Sequence, residues 1–216
     1  VTVVPAEAPR DCALCDRLAA YRAQNARAHP DWFNGAVASF GDPDARLLVV
    51  GLAPGVSGAN RTGRPFTGDF AGRLLYDTLS AHGFANGAFD ARPDDGLRLI
   101  DCMVTNAVRC VPPQNKPTGA EIAACRPFLA ARIAAARRLR AIVCLGRIAH
   151  DSVVRALGAR PSGVPFSHGG RADVGGLALF GSYHCSRYNT NTGRLTAAMF
   201  DGVFAAARRH LDGLTD

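Results

Sequence analysis

A chain of 216 residues with 48% hydrophobic and 20% charged side chains fits one α/β domain of roughly 200 residues with a sizeable core. No apolar run reaches the ~18 residues that span a bilayer, and the start, VTVVPAEAPRDCALC, lacks the basic-then-apolar order of a secretory leader, so a soluble intracellular protein is expected. The net charge of +7 comes from 24 arginines and the single Lys116 against 18 acidic residues; the charge favours a polyanionic partner, arginine's planar fork suits phosphates, and the scarcity of lysine argues against Schiff-base chemistry.

In chain order, the first motif is Cys12-Ala-Leu-Cys15. With Cys110 and Cys125, which bracket VPPQNKPTGAEIAA, it offers four thiolates in two pairs. Such a set can enclose a tetrahedral metal or an iron–sulfur cluster. A redox pair, a disulfide framework and no ligation at all are the alternatives, the second weakened by the odd count of seven cysteines. Cys102 and Cys144 fall within apolar runs and are expected in the core.

Buried strands are predicted over residues 46–52, 97–104, 139–145 and 177–183. Each precedes a helical pattern, over 69–82, 118–138, 147–157 and 193–210. Thr118-Gly-Ala-Glu121 has the form of a capping box, and Pro127 predicts a kink or break in that helix. Leu195, Met199, Val203 and Ala206 share one face of the last helix. The alternation gives a single domain over residues 1–216, a three-layer α/β/α arrangement on a four-stranded, mostly parallel sheet. Open sheets of this kind bind ligands at the carboxyl ends of their strands. The loops GLAPGVSGANRTGRPFTGD, TNAVRC, GRIAH and HCSRYNTNTGR should therefore line one crevice.

The glycine-rich loop has no Gly-Lys-Ser/Thr and no clean G-x-G-x-x-G, so a nucleotide phosphate is not its evident ligand. GLAPG, GANRTGRPFTGD, TNAVRCVPPQNKPT with a cysteine 15 positions beyond Cys110, and HCSRYNTNTGRLT together resemble the family 5 uracil-DNA glycosylases, from Cys12 to about Ala205. The resemblance implies a Rossmann-like fold and a structural 4Fe–4S cluster on Cys12, Cys15, Cys110 and Cys125. It implies a monomeric, cytoplasmic, nucleoid-associated glycosylase without lyase activity. Such an enzyme flips out and hydrolytically excises uracil, and other deaminated bases such as hypoxanthine and xanthine, from DNA to start base excision repair.

Several side chains suit that chemistry. Phe66 offers a stacking face. Asn106 can accept from uracil N3–H and donate to O4, the reverse of cytosine's pattern. His184 matches the family's leaving-group histidine and would donate to uracil O2. It is followed by Cys185 where the family usually has proline. Related glycosylases carry an acidic residue in or beside GLAPG; here Leu52 and Ala53 occupy those places. The water then falls to Asn60 or Asp69, although Asp69 also suits a helix N-cap. Ala53, Gly55 and Phe66 would shape the base pocket, and Gly55 leaves room where stricter enzymes put an aromatic ring. Arg61, Arg64 and Arg194 are expected to meet phosphates, Ser186 and Asn189 to hold the last loop and its phosphate contact, and Arg187 and Tyr188 to enter the duplex. A non-catalytic iron–sulfur or zinc nucleic-acid-binding protein is the alternative, prompted by the missing carboxylate at Ala53. A nucleotide hydrolase is disfavoured, since the loop has neither lysine nor an acidic metal pair.

Overall fold

The computed structural model describes residues 5–214. Residues 1–4, which begin the stretch without a leader pattern, and 215–216, which end the expected 1–216 domain, lie outside the described residues. In chain order the elements are helix α1 (Asp16–Ala28), strand β1 (Phe40–Gly41), β2 (Leu47–Gly51), α2 (Ala59–Thr62), α3 (Phe70–Ala81), β3 (Ala85–Asn86), β4 (Arg98–Leu99), β5 (Cys102–Asn106), α4 (Gly119–Ala135), β6 (Ala141–Leu145), α5 (Arg147–Ala156), β7 (Arg171–Val174), β8 (Leu177–Ser182), α6 (Arg187–Asn191) and α7 (Ala197–Asp212).

The main sheet runs β1-β5-β2-β6-β8-β7. Its four central strands are parallel, and β1 and β7 add antiparallel edges. Every residue of β2, β5 and β6 is buried, because helices cover both faces and successive side chains point to opposite sides. Leu47, Val49, Val104 and Val143 pack with Leu75, Leu79, Phe200 and Phe204 of α3 and α7. Leu48, Val50, Ile142 and Cys144 pack with Leu129, Ile133 and Val153 of α4 and α5. Among the described residues no helix is long and apolar enough to cross a membrane.

The expected strand over 97–104 is split. Asp101 takes φ +49, and its carboxylate receives the backbone N–H and the Nε–H of Arg46 at 2.9 and 2.6 Å. That turn sends Arg98–Leu99 into a separate two-stranded sheet with β3 and starts β5 at Cys102. The capping box on α4 forms as expected, Thr118 accepting from the Glu121 N–H and Glu121 from the Thr118 N–H. The helix then continues past Pro127 to Ala135 with no break. The last expected helix is α7, which starts four residues late, capped by Thr196, and the stretch before it, expected as loop, holds the short helix α6. The buried face of α7 is Phe200, Val203, Phe204, Ala207 and Leu211, while Met199 is 36% exposed. Of the residues expected on one face, Val203 is buried, Leu195 is buried just ahead of the helix, Ala206 is half-buried against the core, and Met199 departs.

Candidate functional site

A cavity of about 480 Å³ opens at the carboxyl ends of β2, β5 and β8. Its wall takes residues 52–59 and 66 from the glycine-rich loop, Asp69, Phe70 and Ala71 at the start of α3, Asn106, Asn115, and His184, Ser186 and Arg187. The GRIAH loop does not join it: Gly146 and Arg147 face a neighbouring groove that shares His184 and includes Asn189 and Arg194.

Strand register brings the main groups together. Gly51 on β2 pairs with Asn106 on β5. A Cβ at Gly51 would lie 2.5 Å from Phe66 Cζ and 2.6 Å from Asn106 Oδ1, so only glycine lets ring and amide meet there. Phe66 is buried with φ +54, and the Tyr76 hydroxyl fixes the turn by donating to the Pro65 carbonyl at 2.6 Å. Asn106 is buried, and no hydrogen bond among the described residues uses its side-chain amide. A buried amide facing a cavity without a partner is poised for a ligand's polar edge.

His184 leaves β8 with its ring 5.9 Å from that of Phe66, inclined by 27°. The Asn189 side chain donates to its carbonyl at 2.8 Å, and Ser186 caps α6 by accepting from the Asn189 N–H. Burial lowers the His184 imidazole to about 4, so at neutral pH it is uncharged and carries one N–H donor. Cys185 is wholly buried, with its thiol 3.5 Å from the Ala71 carbonyl. Where proline would stiffen the loop, the thiol ties it to α3. Burial pushes that thiol up, so it stays protonated.

Asp69 serves two ends. It is the N-cap of α3, accepting from the Gly72 N–H at 3.2 Å. Its other oxygen faces the glycine loop, where a Cβ at Gly58 would come within 2.7 Å of Oδ2. The carboxylate opens to the cavity but is ringed by protein, and loss of bulk water raises its pKa. Leu52 and Ala53 line the same wall without a polar group, and Gly55 sits opposite Asp69. Asn60 is not in the wall. It is fully buried and donates to Asn34 Oδ1 at 3.0 Å.

The cationic residues divide. Arg64 corrects the expectation of a phosphate contact: it is 4% exposed, grips Asp95 through two bonds of 2.8 and 2.6 Å, donates to Thr67 and lies over the Phe40, Tyr76 and Phe89 rings. Each of its three guanidinium nitrogens donates within the protein. Arg61 is exposed in a groove with Arg10, Trp32 and Arg92. Arg187 stands at the cavity rim over Phe70, Tyr188 beside it is 72% exposed, and Arg194 lies over Tyr183. Sequence reasoning missed Asn115 as a wall residue. Gln114 and Asn115 both take positive φ, 57° and 55°, within PPQNKP, and paired prolines around an asparagine were the available signal of such a turn.

Beside this cavity, Cys12, Cys15, Cys110 and Cys125 line one small pocket with Leu18, Val108 and Phe128. None is in a disulfide. The Arg109 backbone N–H donates to Cys125 Sγ at 3.3 Å. Among the described residues no three His, Cys, Asp or Glu side chains converge so as to hold a single metal ion. Burial pushes Cys110 up to about 12 and also raises Cys15 and Cys125. Thiols so placed ionise when a positive metal centre compensates them. An all-sulfur donor set in an otherwise largely apolar pocket fits a thiolate-held metal centre, an iron–sulfur cluster among them.

The chain is similar to known proteins over most of its length. Residues 38–208 match the uracil DNA glycosylase superfamily. A type-5 uracil-DNA glycosylase of Thermus thermophilus is 45% identical over 205 residues, covering 92% of this chain and 93% of its own. One from Pyrobaculum aerophilum is 40% identical over 201 residues, covering 91% and 88%. One from Mycobacterium bovis is 42% identical over 209 residues, covering 92% and 77%.

Proposed function

The chain belongs to the uracil DNA glycosylase superfamily, in its type-5 group, and on that premise we propose that it hydrolyses the N-glycosidic bond of uracil in DNA through Phe66, Asn106, His184 and Asp69. The observation that carries the reading is the meeting of a stacking ring, an unpartnered amide, a neutral imidazole and a carboxylate around one cavity.

Bond cleavage develops positive charge on the sugar and negative charge on the base. A uracil turned out of the duplex would stack on Phe66, worth ~1–3 kcal/mol. Asn106 would read its edge, accepting from N3–H and donating to O4. His184, being neutral, would donate a hydrogen bond to O2 rather than hand over a proton. Loss of one such donor typically costs ~10²–10³ in rate. Asp69 would hold the attacking water and offset the sugar's positive charge; Asn60, directed at Asn34, is left without that part. Gly55 keeps the wall open beside Asp69, which supports acceptance of hypoxanthine and xanthine. Cys12, Cys15, Cys110 and Cys125 would hold a 4Fe–4S cluster, whose contribution when bound is to cross-link the N-terminal segment to the 110–125 loop.

The test is a duplex with one uracil, incubated with metal-loaded protein and probed for abasic sites. Excision is expected, with His184→Ala slower by ~10²–10³. Parallel duplexes with hypoxanthine and xanthine examine the wider range. A folded protein that binds duplex and leaves every uracil in place would instead be a non-catalytic binder.

A further inference from the structure

Helix α1 carries a charged side chain that the reaction does not use. Arg22 is 6% exposed. Its guanidinium donates to the Arg10 carbonyl at 2.5 Å and to the Cys12 carbonyl. Its Nε–H is buried without a partner, and no carboxylate pairs with it among the described residues. Carbonyl dipoles satisfy donors but supply no counter-charge, and a buried cation is costly unless an anion lies near. The neighbourhood is the thiol pocket. Leu18, one turn earlier on α1, lines it, and so does Cys12, whose carbonyl the Arg22 guanidinium holds. Arg109, on the pocket wall, is a second buried arginine. It already has a carboxylate, Glu7 at 3.1 Å. The unbalanced charge is therefore that of Arg22.

We propose that Arg22 is the buried counter-charge of the four-cysteine centre, offsetting the net negative charge of a thiolate-held metal group while fixing the Arg10–Cys12 stretch that brings in the first ligand. The inference rests on reading the four cysteines as ligands. It has two consequences. A nearby cation favours the more negative, reduced state of a cluster, so its loss moves the midpoint potential down. It also holds four thiolates against their mutual repulsion, so its loss speeds release of the metal.

The experiment compares the full wild-type chain with Arg22→Gln, which keeps donors but no charge, and Arg22→Lys, which keeps charge but no fork. Iron, zinc and sulfide per chain, the rate of metal release to a chelator and the midpoint potential of the visible band are measured, with circular dichroism to establish folding. Arg22→Gln is expected to release metal at least about tenfold faster and to show a more negative potential, with Arg22→Lys near wild type. Wild-type behaviour in Arg22→Gln overturns the proposal. So does equal failure of both variants, which would mean that only the fork's hydrogen bonds matter. If Arg22→Gln does not fold, Arg22→Lys decides alone, near-wild-type release being the expected result. Zinc in place of iron and sulfide would sink the cluster reading, while the Gln–Lys comparison would still decide Arg22. A folded wild-type chain that binds no metal would sink both.

Discussion

Asp69 joins two tasks that pull on the same carboxyl group. As an N-cap it supports α3, and asparagine caps a helix about as well. As a desolvated carboxylate it is held above its ordinary pKa. The native chain therefore keeps a proton that the unfolded chain has lost. The associated stability is present below the ordinary carboxyl value and falls away as pH rises through the raised one. Asp69→Asn should thus melt no lower than wild type at neutral pH, and thermal melts across pH should show the wild-type decline missing in the variant. Excision should fall by ~10²–10⁴, and the wild-type rate should climb with pH through that same window. His184 has the opposite sign. Its folded value of about 4 lies below its ordinary 6.5, so the unfolded chain binds the extra proton between them. Stability should drop as pH falls through that window, and His184→Gln should remove most of the drop in melting curves.

At the scale of elements, the glycine-rich loop and α3 form a unit pinned from below by Arg64. Removing one partner of an enclosed ion pair strands the other. Arg64→Met should cost on the order of 3 kcal/mol in denaturant unfolding and leave the salt dependence of DNA binding unchanged. Nothing local announced this role. An arginine among glycines suits a phosphate contact, and its partner Asp95 lies 31 residues away, with ring neighbours Phe40 and Phe89 on other segments. Helix α1 was not foreseen for a related reason: its buried face is Leu18, Arg22 and Asn25, so two of the three positions that mark the inner side are polar. The strands were legible because they are buried on both faces and hence apolar throughout. The end of the strand preceding β5 was not, because one aspartate in a left-handed turn outweighed a run of apolar neighbours.

For the molecule as a whole, the candidate reactive groups gather where parallel strands end, and that rule makes most of the cavity wall legible in the sequence. Phe66 with Asp69, Asn106 and His184 come from three segments far apart in the chain and share one cavity because β2, β5 and β8 point the same way. Asn115 escaped notice since it lies nine residues beyond the end of β5, where the loop turns back toward the cavity. The proposed DNA face carries Arg187 at the cavity rim. Arg187→Ala should lower the slope of log affinity against log salt by about 1 for an undamaged duplex, measured by titration at several salt concentrations. Gly51 carries the widest consequence. It offers no reactive group, yet the Cβ of an alanine would stand 2.5 Å from the Phe66 ring and 2.6 Å from the Asn106 amide. In a library of every single substitution scored for excision, position 51 should prove as intolerant as His184, with Gly51→Ala losing activity out of proportion to any fall in melting temperature. A map of mutational tolerance would then trace the space that the base needs as sharply as the groups that act on it.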